Sequence, residues 1–157
     1  MYLADIIGIG RTKTAEHWEM GIIDLAVEAA GQALGSASSR PTAVVVGNAL
    51  ASALGDQRNL ASFIAARLGL NDLETITVEA DEASGGAAVR QSLALIGSGM
   101  HELVLAIGVE KTSDVLPDGL EAARASGLDV LREAGFGFSL PVAAAMTMQR
   151  YIQTHGV

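Results

Sequence analysis

The chain contains no cysteine. That absence excludes disulfides, thiolate catalysis and cysteine-based metal sites within the chain, and it fits a reducing compartment. Aromatic residues are scarce at 4%, so the core has to be built from the Ala, Val, Leu and Ile that dominate a 50% hydrophobic composition. Only three prolines stand against eighteen glycines, which points to tight turns and close helix–strand packing, not a disordered tail. Basic residues are few: ten Lys and Arg against eighteen Asp and Glu give a formal net charge of −8. Such a surface repels a phosphate backbone, so no nucleic-acid partner is expected. Long apolar runs are missing too, and none approaches the roughly 20 residues of a membrane helix. The start, "MYLADIIGIGRTK", has no basic region ahead of an apolar core, so it does not read as a signal peptide. The expectation is a soluble cytoplasmic protein with no membrane partner, whose 157 residues suit one domain or a large part of one.

What is present alternates. "LADIIGIG" (3–10) reads as a strand ending in glycines. Residues 17–36 place Met20, Ile23, Val27, Ala30 and Leu34 at helical spacing, with Gly35 as the stop. "TAVVVGNAL" (42–50), headed by Pro41, reads as a buried parallel strand. Residues 59–70 form a helical pattern with Leu60, Phe63, Ile64 and Leu68 on one face and Gly69 after it. A strand at 74–80, a helix at 84–99 and a strand at 102–111 follow. Four strands with three intervening helices predict a mainly parallel sheet covered by helices. Residues 112–138 break the pattern, with a short helical piece around 119–134. A final helix is expected at 141–156, with Pro141 in its first turn and Gly156 at its end. No strand follows it, so the half-built sheet is expected to need more polypeptide.

The stretch "VEADEASGGAAVR" (78–90) carries the chemistry. A strand feeds a helix whose first turn is made of small residues, which allow close approach of a ligand or another backbone. The helix N-terminus offers unpaired N–H groups and a partial positive charge, a place to stabilise a thiolate or an oxyanion. Asp81 and Glu82 stand there. Two readings follow: acids that cap the helix, or a general base.

The order of motifs resembles the N-terminal half of the thiolase superfamily, of the sterol-carrier-protein and archaeal acetyl-CoA acetyltransferase types. The matching stretches are "IIGIGRTK" (6–13), "VVVGNAL" (44–50), "GDQRNLASFIAARLGL" (55–70), "VEADEASGGAAVR" (78–90), "SGMHELVLAIGVEKTSDV" (98–115) and "FSLPVAAAMTMQRYIQTHG" (138–156). Thiolases of this kind read VEAACxSGGAA, with a nucleophilic cysteine at the helix N-terminus. On this chain that position is Glu82, and Asp81 occupies a normally small position.

The resemblance implies an α/β, layered thiolase-like half, incomplete without a partner. It divides the chain into a core (1–111), a loop-domain excursion (112–138) and the terminal helix of that excursion (139–157). It also implies a homodimer through the strand at 74–80 and the helix at 84–99. The histidine and second-cysteine motifs of the family lie in a C-terminal half, which a second chain would supply. A carboxylate is a far weaker nucleophile than a thiolate toward a thioester, so thiolysis or Claisen condensation by the isolated chain is not expected. Three functions remain. The chain is a nucleophile-lacking subunit of an acyl-CoA-processing complex, with a coenzyme A thioester as substrate and nothing bound covalently. Alternatively, Glu82 or Asp81 acts as acid or base in decarboxylation or retro-aldol cleavage of a CoA ester, or the chain is a non-catalytic relative.

Other residues carry weaker signals. "GIGRT" (8–12) lacks the full glycine spacing of a phosphate loop and reads as a strand-end turn. His17, His101 and His155 are scattered, so no metal is expected. Glu110, Lys111 and Asp114 follow a strand end, where parallel sheets bind ligands, and read equally as a surface ion pair. Arg11, Arg58 and Arg90 are too dispersed in sequence to define a phosphate site.

Overall fold

The computed structural model describes residues 4–55 and 57–157. The chain divides into two compact units, Met1–Asp114 and Val115–Val157. In the first unit, the elements run α1 (Ile22–Leu34), β1 (Ala43–Gly47), α2 (Ala51–Leu54), α3 (Leu60–Arg67), β2 (Glu74–Val78), a 3-10 turn (Asp81–Ala83), α4 (Ser84–Gly97) and β3 (Val104–Gly108). The second unit holds α5 (Pro117–Ala125), a 3-10 turn (Ala134–Phe136) and α6 (Leu140–His155).

The sheet is parallel, in the order β2-β1-β3, with Ala43 in register with both Glu74 and Val104. All five residues of β1 are buried, as the continuous apolar run at 42–50 requires of a central strand. Alternation along the strands splits the core. Val44, Val46, Leu105 and Ile107 face α1 and α3, packing with Ala26, Ala30, Leu60, Ile64 and Ala65. Ala43 and Val45 face the other way, onto Ala88 and Leu95 of α4. The unit is therefore a three-layer α/β/α arrangement with small alanines at its helix–sheet contacts. On α3, Phe63 is half exposed, and the buried face is completed instead by Ala61 and Ala65.

The strand expected at 3–10 is not present over its described residues 4–10, which enter no ladder. The cause lies in Gly8 and Gly10. A Cβ on Gly8 would fall 2.2 Å from the Ala33 carbonyl oxygen, and one on Gly10 would fall 1.9 Å from that of Ala29. The segment is thus pressed against the backbone of α1, with Ile6 and Ile9 largely exposed. Between it and β3 lies a slot of about 480 Å³, walled by α1 and α4 (Ala33, Leu34, Leu93, Ile96) and floored by β3. Among the described residues, the outer edge of β3 pairs with no strand.

At the N-terminal ends of the strands, His101 ties all three together. Its Nε2 lies 2.8 Å from Glu74 Oε2 and its Nδ1 lies 2.9 Å from Thr42 Oγ1. In the second unit, the helix expected around 119–134 is shorter and earlier: Pro117 sits in its first turn and it ends at Ala125. Asp129 then accepts from the N–H groups of Leu131 and Arg132, closing a turn where the sequence pattern suggested helix. α6 is N-capped by Ser139, which accepts from the Val142 N–H, and ends at Gly156 in the left-handed region.

Candidate functional site

The C-terminal ends of the three strands meet the N-terminus of α4, the end of a parallel sheet where ligands bind. Gly47 makes the meeting possible, and Gly108 lies in ordinary contact with the same turn. A Cβ on Gly47 would lie 2.1 Å from the Ser84 carbonyl oxygen, and one on Gly108 would touch Gly85 Cα at 3.5 Å. The first turn of α4 therefore rests directly on backbone at the ends of β1 and β3. Gly85 and Gly86 themselves have nothing within 4 Å of a hypothetical Cβ, so the glycine that the approach requires is Gly47 of β1 and not those of "SGGAA".

Asp81 and Glu82 share the 3-10 turn that leads into α4. Asp81 has φ +49°, a left-handed conformation that Asp tolerates better than most residues. The turn is pinned by its neighbours. Ser84, only 4% exposed, accepts from the Ala80 N–H at 2.9 Å and donates to the Asp81 carbonyl at 2.6 Å. Glu79 accepts from the Asp81 N–H. The carboxylates themselves differ from the capping expectation. Neither caps α4 by a side-chain hydrogen bond, and both residues are exposed. The helix dipole still acts on them, but the N–H groups of the turn are served by Ser84 and Glu79 instead. Ser84 was the residue that sequence reasoning passed over. Its signal was a polar side chain inside an otherwise small-residue turn.

Beneath the turn lies a second polar knot. Asn48, 7% exposed, donates to the Val109 carbonyl at 2.8 Å and to Glu110 Oε1 at 3.0 Å, and its Oδ1 accepts from the Ala51 N–H. Glu110 Oε2 accepts from the N–H groups of Ala49 and Leu50, each at 3.0 Å. Glu110 is thus consumed in joining the end of β3 to the turn after β1. Lys111 pairs with Asp114 as the ion-pair reading suggested, and its side chain is 7% exposed. Among the described residues no group of three or more His, Asp or Glu is placed to hold a metal ion. No described helix is long and apolar enough to cross a membrane.

The thiolase N-terminal domain model matches residues 4–156. The chain belongs to the thiolase family. Among its relatives are acetyl-CoA acetyltransferases of two archaea. That of Methanocaldococcus jannaschii is 39% identical over 155 residues, covering 97% of this chain and 39% of the relative. That of Methanothermobacter thermautotrophicus is 35% identical over 154 residues, covering 96% and 40%. The chain thus spans about two fifths of the length of these thiolase relatives. Solved structures titled 3-oxoacyl-(acyl carrier protein) synthase III are also similar. The one from Pseudomonas aeruginosa has 31% identity and a TM-score of 0.46, over 53% of this chain and 25% of that one. The one from Aquifex aeolicus has 20% identity and a TM-score of 0.46, over 53% and 27%.

Proposed function

We propose that this thiolase-family chain is the nucleophile-lacking part of an acyl-CoA-processing acyltransferase and acts together with further polypeptide of thiolase C-terminal character. One observation carries the reading. The turn that opens α4 has the backbone approach expected of the family's nucleophile site, yet position 82 carries a glutamate in a chain without cysteine. A glutamate there cannot form the covalent thioester intermediate that a thiolate forms. The open edge of β3, with its apolar slot, supports the need for more polypeptide, since an unpaired edge is a ready template for strand pairing. A homodimer through 74–80 and 84–99, and a coenzyme A thioester as the substrate of the assembly, belong to the same proposal.

The test is to incubate the purified chain with acetyl-CoA, alone and together with the C-terminal portion of an archaeal relative, and to follow protein mass and acyl transfer. The expected result is no acyl adduct on this chain under either condition. A covalent acetyl adduct on this chain would refute the proposal.

A second reading is favoured by the exposed carboxylates of Asp81 and Glu82, which accept no hydrogen bond from the described residues. Their oxygens are open to a ligand, so either could act as acid or base in decarboxylation or retro-aldol cleavage of a CoA ester. Glu82→Gln removes that capacity at nearly constant shape. An assembly whose lyase or decarboxylase activity survives this change unaltered does not use Glu82.

A further inference from the structure

A second hollow, of about 400 Å³, lies on the α1 side of the sheet at the C-terminal end of β3. Segment 10–15 with His17 forms one wall, residues 108–113 another, and Leu25, Ala26 and Ala29 of α1 the base. Three of the chain's ten basic side chains, Arg11, Lys13 and Lys111, line it, against the single carboxylate of Glu110. That concentration runs against a net charge of −8.

The carboxylates of Glu110 and Asp114 are already engaged, while Glu16 and Glu19 lie outside the lining. Both oxygens of Glu110 are engaged by Asn48, Ala49 and Leu50. Asp114 is engaged by Lys111. Arg11 and Lys13 form no ion pair among the described residues. Donors accompany them. Among the described residues, the backbone N–H groups of Thr12, Lys13 and Thr14, and those of Thr112 and Ser113, donate to no protein acceptor. Hydroxyls of Thr12, Thr14, Thr112 and Ser113 belong to the same walls. His17 donates from Nε2 to the Lys13 carbonyl at 2.7 Å, which closes the segment into a loop. Residues that carry guanidinium, ammonium, hydroxyl and unbonded amide groups line one concavity, a composition suited to an oxyanion, and the volume falls within the roughly 300–1,000 Å³ of small-ligand pockets.

We infer that this hollow binds an oxyanion of the phosphate class, as free phosphate or diphosphate or as the phosphate group of a phosphorylated small molecule, with Arg11 and Lys13 as its principal charged contacts. The site is separate from Asp81 and Glu82, which do not line it, and the inference stands whether or not the chain takes part in acyl transfer. Buried, pre-paired Lys111 fixes the wall and adds less, because Asp114 already balances it.

The experiment is a titration of the full chain with inorganic pyrophosphate in low-salt buffer, followed by calorimetry and by ¹⁵N amide shifts. The expected result is saturable binding that weakens as potassium chloride is added, with shifts centred on residues 10–17 and 108–113. The double substitution Arg11→Gln with Lys13→Gln is expected to weaken binding at least fivefold. Arg90→Gln with Arg150→Gln removes the same charge elsewhere and is expected to leave binding within twofold of the native chain. A competition with coenzyme A identifies the source of the phosphate. Displacement of pyrophosphate assigns the site to a phosphorylated cofactor, and co-binding without displacement assigns it to the free anion. Absence of saturable binding, shifts that fall elsewhere, or equal weakening in both double variants overturns the inference. The amide shifts of the unaltered chain decide the matter even if a variant folds poorly.

Discussion

Gly47→Ala is expected to lower the unfolding free energy of the chain by about 3 kcal/mol, near the upper end of what a single added methyl costs in a tight contact. The atom that a Cβ would meet is the carbonyl oxygen of Ser84, 2.1 Å away. It belongs to backbone at the start of α4, so no side chain can swing aside. Either β1 or the first turn of α4 must move, and both are held: β1 by its two neighbouring strands, the turn by the two hydrogen bonds of Ser84. Gly31, in the interior of α1, has nothing within 4 Å of its hypothetical Cβ. Gly31→Ala is therefore expected to raise stability by about 0.5–1 kcal/mol through the backbone entropy that glycine carries in the unfolded chain. Urea unfolding of the two variants measures both effects. Equal and small changes would mean that α4 does not press on the sheet as described.

The second large effect concerns reactivity. Glu82→Cys is expected to create a thiol that reacts with iodoacetamide at neutral pH tenfold or more faster than a cysteine introduced at Ser38. Ser38 is exposed and lies in the connection between α1 and β1, outside any helix. Position 82 lies two residues before α4, whose N-terminal N–H groups and dipole favour the thiolate. The change should cost little stability, because Glu82 is exposed and gives no side-chain cap to α4. Rates measured by mass spectrometry over a pH series separate a lowered thiol pKa from simple access. Matching rates and matching pH profiles at 82 and 38 would remove the argument that this turn keeps a nucleophile site in its geometry.

Much of this architecture was legible in the sequence, and the reasons are specific. β1 is a run of Val flanked by Pro41 and Asn48, so its burial on both faces followed from composition alone. Helices α1, α3, α4 and α6 declared themselves by apolar spacing and by terminal glycines at 35, 69 and 156. The segment 4–10 defeated the same logic. Its Ile–Gly alternation fits a strand, but glycine can equally serve close approach, and here Gly8 and Gly10 are spent against α1 carbonyls. Hydrophobic pattern records which residues avoid water, not which edge they pair with. The knot of Asn48 with Glu110 was invisible for another reason: the two residues are 62 positions apart, and neither position is unusual by itself. The same holds for the basic hollow. Arg11 appeared isolated in sequence, and only the fold, with Gly10 packed on α1, sets the segment that follows it across the hollow from residues 108–113. At the α4 turn, residue types marked only a candidate site, while the division of labour between Ser84, which pins, and Glu82, which stays free, depended on three-dimensional geometry.

The open edge of β3 also bears on how the chain behaves as a colloid. Residues 104–108, Val-Leu-Ala-Ile-Gly, present backbone donors and acceptors with no charged side chain among them to deter another strand. What keeps molecules apart is the long-range repulsion of a surface at −8. These two forces act over different distances. Repulsion fades beyond about 8 Å at physiological ionic strength, whereas strand pairing operates at contact and is barely screened. Added salt is therefore expected to lower the barrier and leave the attraction, so that any self-association measured by sedimentation should grow as ionic strength rises, the reverse of an assembly held by opposite charges.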